Sequence, residues 1–223
     1  MNARPALILA SNSPRRKDLL TLAGLPFEIV AADINETPRE GEPPRDYVRR
    51  LAEEKAVAAS LRADASQVIL AADTIVVDGD TLLGKPADPS EAKRMLLQLR
   101  GRVHQVYTGL AALRVSDGHI LRDVCAADVQ MREYSEAEID AYIATGDPLD
   151  KAGAYAIQHP TFKPVASTTG CYAGVMGLPI CHVTRLLWHM DIPIANDVHA
   201  DCNDRLDYHC ALFKDILGPY PGE

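Results

Sequence analysis

From Val68 to Val77 the chain reads Val-Ile-Leu-Ala-Ala-Asp-Thr-Ile-Val-Val, an apolar run interrupted only by Asp73 and Thr74. A run of this length, rich in β-branched residues, predicts a strand buried on both faces, which requires a sheet covered by helices. Burying an unpaired carboxylate is costly, so Asp73 must meet a cation, a metal or several hydrogen bonds. Such a carboxylate can hold a divalent metal and take a proton from an attacking water. The alternative is a strand-end Asp that ties down a turn.

The flanking sequence predicts the rest of such a fold. Ala6–Ala10 is strand-like, and Ser11-Asn12-Ser13-Pro14 then opens a helical pattern that stops at Gly24. Ser13 suits the N-cap, Pro14 the first helical position and Gly24 the C-terminal stop. A second strand is expected over Phe27–Ala32, and a long helix over Pro43–Leu61. Asp78-Gly79 turns into Thr81–Leu83, and Asp88-Pro89 starts a helix that runs to Gly101. Val103–Met131, with Ser116-Asp117-Gly118 in its middle, predicts a long antiparallel hairpin. Ser135 and Glu138 form a capping-box pattern for a helix closing near Gly146. Short strands are expected around Ala154–Ile157 and Tyr172–Met176, and a helix from Pro179 through Trp188. The order is α+β or mixed α/β, without internal repeats.

Composition narrows the function. At 47% hydrophobic and 24% charged residues the chain is an ordinary folded protein. Its formal charge of −8 opposes loose binding to DNA or RNA, which needs a basic surface, so a phosphate-bearing ligand must meet a local basic site. No apolar stretch is long enough for a membrane span, and Met1–Ala10 lacks the features of a secretory leader, so a cytoplasmic location is expected. Five irregularly spaced cysteines fit reduced thiols better than a disulfide framework.

Arg15 and Arg16 follow directly on a helix start, where the macrodipole disfavours cations by about 0.3–1 kcal/mol each. Free N–H groups and arginine forks together suit phosphate, so Ser11, Ser13, Arg15 and Arg16 form a candidate polyphosphate cradle. The alternative is a solvated turn whose arginines pair with nearby acids. Lys85, fixed in Gly84-Lys85-Pro86, can aim an ammonium at one spot. Glu36 and, on the long helix, Glu53, Glu54 and Lys55 are further candidates for metal or phosphate contacts. Gln158, at the end of Asp150-Lys151-Ala-Gly-Ala-Tyr-Ala-Ile-Gln158, either reads a base edge through its paired donor and acceptor or closes a turn.

Together these segments resemble the Maf family in order and spacing from about Leu7 to Leu187. The segments are Leu-Ala-Ser11-Asn-Ser13-Pro14-Arg15-Arg16, Ala-Ala-Asp73-Thr74, Gly84-Lys85-Pro86, Tyr107-Thr108-Gly109, the Asp150 to Gln158 stretch, and Val175-Met-Gly177-Leu-Pro179. The resemblance implies an elongated mixed α/β fold like that of the inosine-triphosphate pyrophosphatases, with two lobes around a central cleft, usually as a homodimer. It implies hydrolysis of nucleoside triphosphates to the monophosphate and pyrophosphate, assisted by Mg²⁺ or Mn²⁺. Asp73 matches the family's proton acceptor, and Ser13, Arg16, Glu36, Lys55 and Lys85 match residues that bind phosphates or organise the metal, Glu36 joining Asp73 as a metal ligand. Arg15, Thr74 and Gln158 stand where the family separates its substrate classes, and they resemble the group acting on dTTP and UTP. The group acting on 7-methyl-GTP carries Trp, Gln and Glu there. Broader base choice, ITP included, and a non-catalytic nucleotide sensor linked to cell division are the alternatives.

Two stretches depart from the family pattern. His159 to Thr169 replaces a glycine-rich segment beside the expected base pocket. Residues 191–223 lie beyond the domain expected over 1–190. Their His199, Cys202, His209 and Cys210 suggest zinc, but the spacing fits no usual ligand pattern, and capping and packing roles are expected instead.

Overall fold

The computed structural model describes residues 6–218, so the first half of the Met1–Ala10 stretch and the last five residues of the tail lie outside the described residues. Seven strands form one mixed sheet: β1 (Leu7–Leu9), β2 (Phe27–Ile29), β3 (Val68–Asp78), β4 (Thr81–Leu83), β5 (Val103–Arg114), β6 (Ile120–Met131) and β7 (Val165–Thr169). The strand order is β2-β1-β3-β5-β6-β7, with β4 paired to the far part of β3. β1 runs parallel to both β2 and β3, and the remaining pairs are antiparallel. Helices are α1 (Pro14–Leu20), α2 (Pro44–Ser60), α3 (Pro89–Leu99), α4 (Glu136–Ala144), α5 (Tyr172–Val175), α6 (Ile180–Trp188), α7 (Val198–Leu206) and α8 (Phe213–Leu217). This is the mixed α/β class that the sequence predicts.

Strand β3 is the spine. Its alternation sends Val68, Leu70, Ala72 and Val76 into the main core, which also takes Leu19 and Leu20 of α1, Leu96 and Leu99 of α3 and Val183 and Leu187 of α6. The intervening Ile69 and Ala71 meet Ala52, Ala56 and Ala59 of α2, and Ile75 and Val77 meet Tyr47, Val48 and Leu51. Fully burying a side chain such as Val, Ile or Leu contributes about 1.5–3 kcal/mol, so a strand covered on both sides is firmly placed in its register. By the same alternation Asp73 faces α2, and Thr74 faces the opposite layer.

The local signals that end these elements are realised. Ser13 caps α1, with Pro14 at the first turn and Gly24 left-handed after the following 3₁₀ turn. Asp88 caps α3, and Ser135 with Glu138 closes the capping box of α4. Gly109 on β5 lies opposite Asp73. A Cβ there would meet the Val48 carbonyl oxygen at 2.3 Å, so only glycine lets α2 lie this close to the sheet.

Two expected strands are corrected. Ala154–Ile157 is not a strand, because Gly153 and Ala154 both adopt positive φ (67° and 59°), which an extended ladder excludes. Tyr172–Met176 holds α5 instead, whose start is fixed by Cys171 Sγ accepting from the Gly174 amide at 3.3 Å. Conversely, the His159–Thr169 stretch holds β7, for which the sequence carries no strand signal. It is an edge strand with mostly exposed side chains, so it carries no apolar alternation to betray it.

Candidate active site

At the C-terminal end of β1 the chain turns through Ser11 and Ser13 into α1. Ser11 Oγ accepts from the Ser13 amide at 3.2 Å, and Ser13 Oγ accepts from the Arg16 amide at 3.4 Å. Arg16 then reaches across the layer. Its Nε donates to the Gly177 carbonyl at 2.9 Å, Nη2 to Thr74 Oγ1 at 3.1 Å and Nη1 to Ser11 Oγ at 3.4 Å. Thr74 is itself fixed to Thr108 Oγ1 at 2.9 Å. The fork is thus held by neutral groups, and burial, opposed by the charge of Asp73, lowers the Arg16 pKa. A cation so placed has charge to spare for an incoming anion. Gly177 has φ 106°, and a Cβ there would stand 3.2 Å from Thr74 Oγ1 and 3.3 Å from Arg16 Nε.

The opposite wall comes from α2. Lys55 is buried, and its Nζ lies 2.6 Å from both Asp73 Oδ1 and Glu36 Oε1. The two carboxylates differ in setting. Burial dominates at Asp73 and raises its pKa, although Lys55 and Arg16 pull it down. At Glu36, half exposed, burial is outweighed by the Lys55 hydrogen bond and by the charges of Lys55, Lys85 and Arg16, and the pKa is lowered. Two acids beside one ammonium are thereby pushed apart in proton affinity. Lys85 is exposed at the rim, with no carboxylate within ion-pair distance among the described residues.

One cleft of about 400 Å³ collects Ser11, Ser13, Arg15, Arg16, Glu36, Lys55, Asp73, Thr74, Lys85 and Gln158. The volume suits a small-molecule site. Five cations (Arg15, Arg16, Lys55, Lys85 and Lys151) and three carboxylates (Glu36, Asp73 and Asp150) line it, a local basic excess in an acidic chain. Arg15 partly follows the plainer expectation of an ion pair, with Nη1 3.4 Å from Asp150 Oδ2. Lys151 is buried and held by Asp147 and Asp150. Gln158 also lines the cleft, and its buried Oε1 has no hydrogen-bond partner. Glu53 and Glu54 stand outside the cleft, paired with Arg122 and with Arg39 and Arg50.

Residues 6–190 match the sequence profile of the family described as Maf-like protein. The chain belongs to the Maf-like family. Among its relatives, the dTTP/UTP pyrophosphatase of Anaeromyxobacter dehalogenans (strain 2CP-C) is 46% identical over 192 residues, 85% of this chain and 96% of that protein. The dTTP/UTP pyrophosphatase of Shewanella oneidensis is 48% identical over 188 residues, 81% of this chain and 96% of that protein. That of Methylococcus capsulatus is 44% identical over 189 residues, 85% and 93% respectively. The solved Ham1 protein of Staphylococcus aureus aligns at 15% identity and a TM-score of 0.36 over 56% of this chain and 71% of that one.

The Maf-like cleft also contains groups that the sequence did not single out. Tyr47 donates to the Glu36 carbonyl at 2.8 Å and so holds the loop that carries Glu36. Burial, then the charges of Asp73 and Glu36, push its phenol up to about 12. Its eight-residue spacing from Lys55 on α2 places both on one helix face, and this was the available signal. Tyr155 lines the cleft with its hydroxyl 2.8 Å from His104 Nε2, a pair that nothing local in sequence connects. No helix among the described residues is long and apolar enough to cross a membrane.

Proposed function

We propose that this Maf-like chain is a nucleoside triphosphate pyrophosphatase acting on dTTP and UTP. The observation that carries the reading is the meeting of a buried Asp73 with Lys55, Arg16, the Ser11–Ser13 turn and Lys85 in one cleft. The names of the relatives, each sharing more than two-fifths of its aligned residues with this chain, point to the same reaction.

The triphosphate lies along the cations. Arg16 and the Ser13 turn bind oxygens at one end, and Lys85 and Lys55 neutralise charge toward the other. Asp73 holds the attacking water and accepts its proton as the oxygen joins the α-phosphorus. The bond from that phosphorus to its bridging oxygen breaks, and pyrophosphate leaves with the bonding electrons. Lys55 keeps Asp73 in place, and Arg16 offsets charge on the phosphoryl oxygens without needing to move.

Asp73 and Glu36 fit a divalent cation such as Mg²⁺ or Mn²⁺, because their oxygens already converge on one positive charge, the Lys55 ammonium. Such ions take one or two carboxylates and complete their shell with substrate phosphates and water. When bound, the ion supplies neutralisation of the phosphate oxygens.

Gln158 supports the pyrimidine preference. The N3–H of thymine or uracil is a donor flanked by carbonyls, which a carboxamide turned toward the base can meet with one acceptor and one donor, and Gln158 lines the cleft with an amide oxygen that no other group engages. Modified pyrimidine triphosphates belong to the same reading. So do a Maf-like domain over residues 1–190 with 191–223 appended, a homodimeric state and a cytoplasmic location.

The test is incubation of the purified protein and of Asp73→Asn with dTTP, UTP, 7-methyl-GTP and ITP, plus Mg²⁺ or Mn²⁺, with identification of the phosphate released. Pyrophosphate from dTTP or UTP, abolished in the variant, is expected. Tight nucleotide binding without turnover of any of the four would replace the enzyme by a sensor.

A further inference from the structure

The two stretches in which this chain departs from the Maf-like pattern face one another across a single groove. One wall is the loop and edge strand that follow Gln158, through His159, Lys163 and Ser167. The other is the end of α7 and the residues after it, in the extension beyond the matched domain, through Arg205, Asp207 and Tyr208. The groove measures about 620 Å³ and adjoins the cleft of about 400 Å³ at Ile157, Gln158 and Met176, which line both.

The two spaces differ in charge. Arg16, Lys55 and Lys85 line the cleft and not the groove, whereas the groove sets two acids, Asp18 and Asp207, against two bases, Lys163 and Arg205. An anion is drawn to the local basic excess, so a triphosphate belongs in the cleft and the groove suits the uncharged end of the same molecule. Tyr172 and Tyr208 supply aromatic surface there, their rings 5.0 Å apart and tilted by 32°. Aromatic side chains stack on nucleobases of any kind, because every base has a π-face.

The extension is shaped to present Tyr208. Asp207 takes φ 48° and ψ 45°, a left-handed conformation that few residues other than glycine, asparagine and aspartate adopt. This reversal ends α7, with the Tyr208 amide donating to the Asn203 carbonyl at 3.2 Å, and sets the ring beside Tyr172. Lys163 on the facing wall also has positive φ, 42°. Backbone held in such regions gathers at ligand-binding sites. Arg205 pairs with Asp18 of α1, the helix whose first turn brings Arg15 and Arg16 to the cleft.

We propose that the C-terminal extension completes the substrate site, with Tyr208 as the wall on which the nucleoside of a bound nucleoside triphosphate rests. The triphosphate stays with Arg16 and Lys55 in the cleft, the base passes Gln158, and Tyr208 covers a face that otherwise meets water. The identity of the ligand rests on the pyrophosphatase reading. To that reading the proposal adds a specificity-determining residue from outside the matched domain.

The test uses the full chain, as the parent, Tyr208→Ala and Tyr208→Phe. Turnover of dTTP is measured beside calorimetric binding of two probes with Mg²⁺: α,β-methylene dTTP, which cannot release pyrophosphate, and inorganic triphosphate, which has no nucleoside. In Tyr208→Ala the KM for dTTP and the Kd for the analogue should rise about five-fold or more, the loss expected for one base–aromatic stack. Tyr208→Phe, which keeps the ring, should stay near the parent, and inorganic triphosphate should bind all three alike. Unchanged nucleotide binding in a folded Tyr208→Ala, or an equal loss for inorganic triphosphate, overturns the proposal. Hydrogen exchange of the parent decides where the variant fails to fold. The analogue should slow exchange over residues 203–210 and inorganic triphosphate should not; equal protection by both, or none, overturns the proposal. The two readings fail separately. A parent that turns over no nucleotide, yet binds the analogue through Tyr208, loses the pyrophosphatase reading and keeps this site, and normal turnover with an unchanged KM in Tyr208→Ala does the reverse.

Discussion

Lys55 on α2 and Asp73 on β3 form a 2.6 Å ion pair across the interface between helix and sheet, and both side chains are buried. The pair joins a structural need to a chemical one. Lys55 makes the buried carboxylate tolerable, and Asp73 still lines the cleft that also holds Arg16 and Lys85.

Replacing Asp73 by Asn should preserve the fold, because Lys55 keeps Glu36 as a partner. Loss of a general base typically costs about 10²–10⁴ in rate, so kcat for pyrophosphate release from dTTP should fall by that order with KM little changed. Steady-state kinetics on the variant check this, and an unchanged kcat would remove Asp73 from the chemistry.

Gln158→Leu keeps side-chain volume and removes both polar atoms. If the amide reads the pyrimidine edge, kcat/KM for dTTP and UTP should fall about five-fold or more, as expected for about 1–3 kcal/mol of lost hydrogen bonding to buried groups. Purine triphosphates should change less. Equal losses for all bases would show that Gln158 only shapes the turn.

Gly109→Ala places a methyl against the Val48 carbonyl oxygen. Overpacking of this kind costs about 1–3 kcal/mol. The denaturation midpoint should drop, and activity should drop further than stability explains, because the displaced helix carries Lys55. Chemical denaturation beside kinetics at a denaturant-free temperature separates the two.

Asp123 on β6 pairs with His182 and Arg185 of α6. Burial opposes its ionisation, but these two partners prevail and lower its pKa from the ordinary 3.8 to about 2. A carboxyl depressed in the folded state contributes stability above its unfolded pKa and loses it as pH falls through the folded one. Parent and Asp123→Asn should therefore differ in stability at neutral pH, and the difference should shrink between pH 3.8 and about 2. Urea titrations across that range give the answer; a gap constant with pH would assign the effect to packing.

Much of this was legible along the chain, because the signals act within a few residues. The Val68–Val77 run fixed a doubly buried strand, Ser13, Asp88 and Ser135 marked helix starts, and the unusual Asp73 and Arg16 stood out as charges that the fold brings to one cleft. The misread stretches were those where a non-local demand prevailed. Gly153 and Ala154 take positive φ, Tyr172–Val175 coils into a turn of helix, and the polar edge strand β7 forms because β6 offers it a partner.

By itself, then, the sequence determined which residues are charged inside an apolar setting and where helices begin, since caps and alternation are local. Only the tertiary structure decided what those charges meet. Arg16 finds the Gly177 carbonyl 161 residues away, and Lys55 joins Glu36 to Asp73. Such meetings depend on how layers pack and on which face of β3 each side chain takes, and close packing settles that for the whole molecule at once.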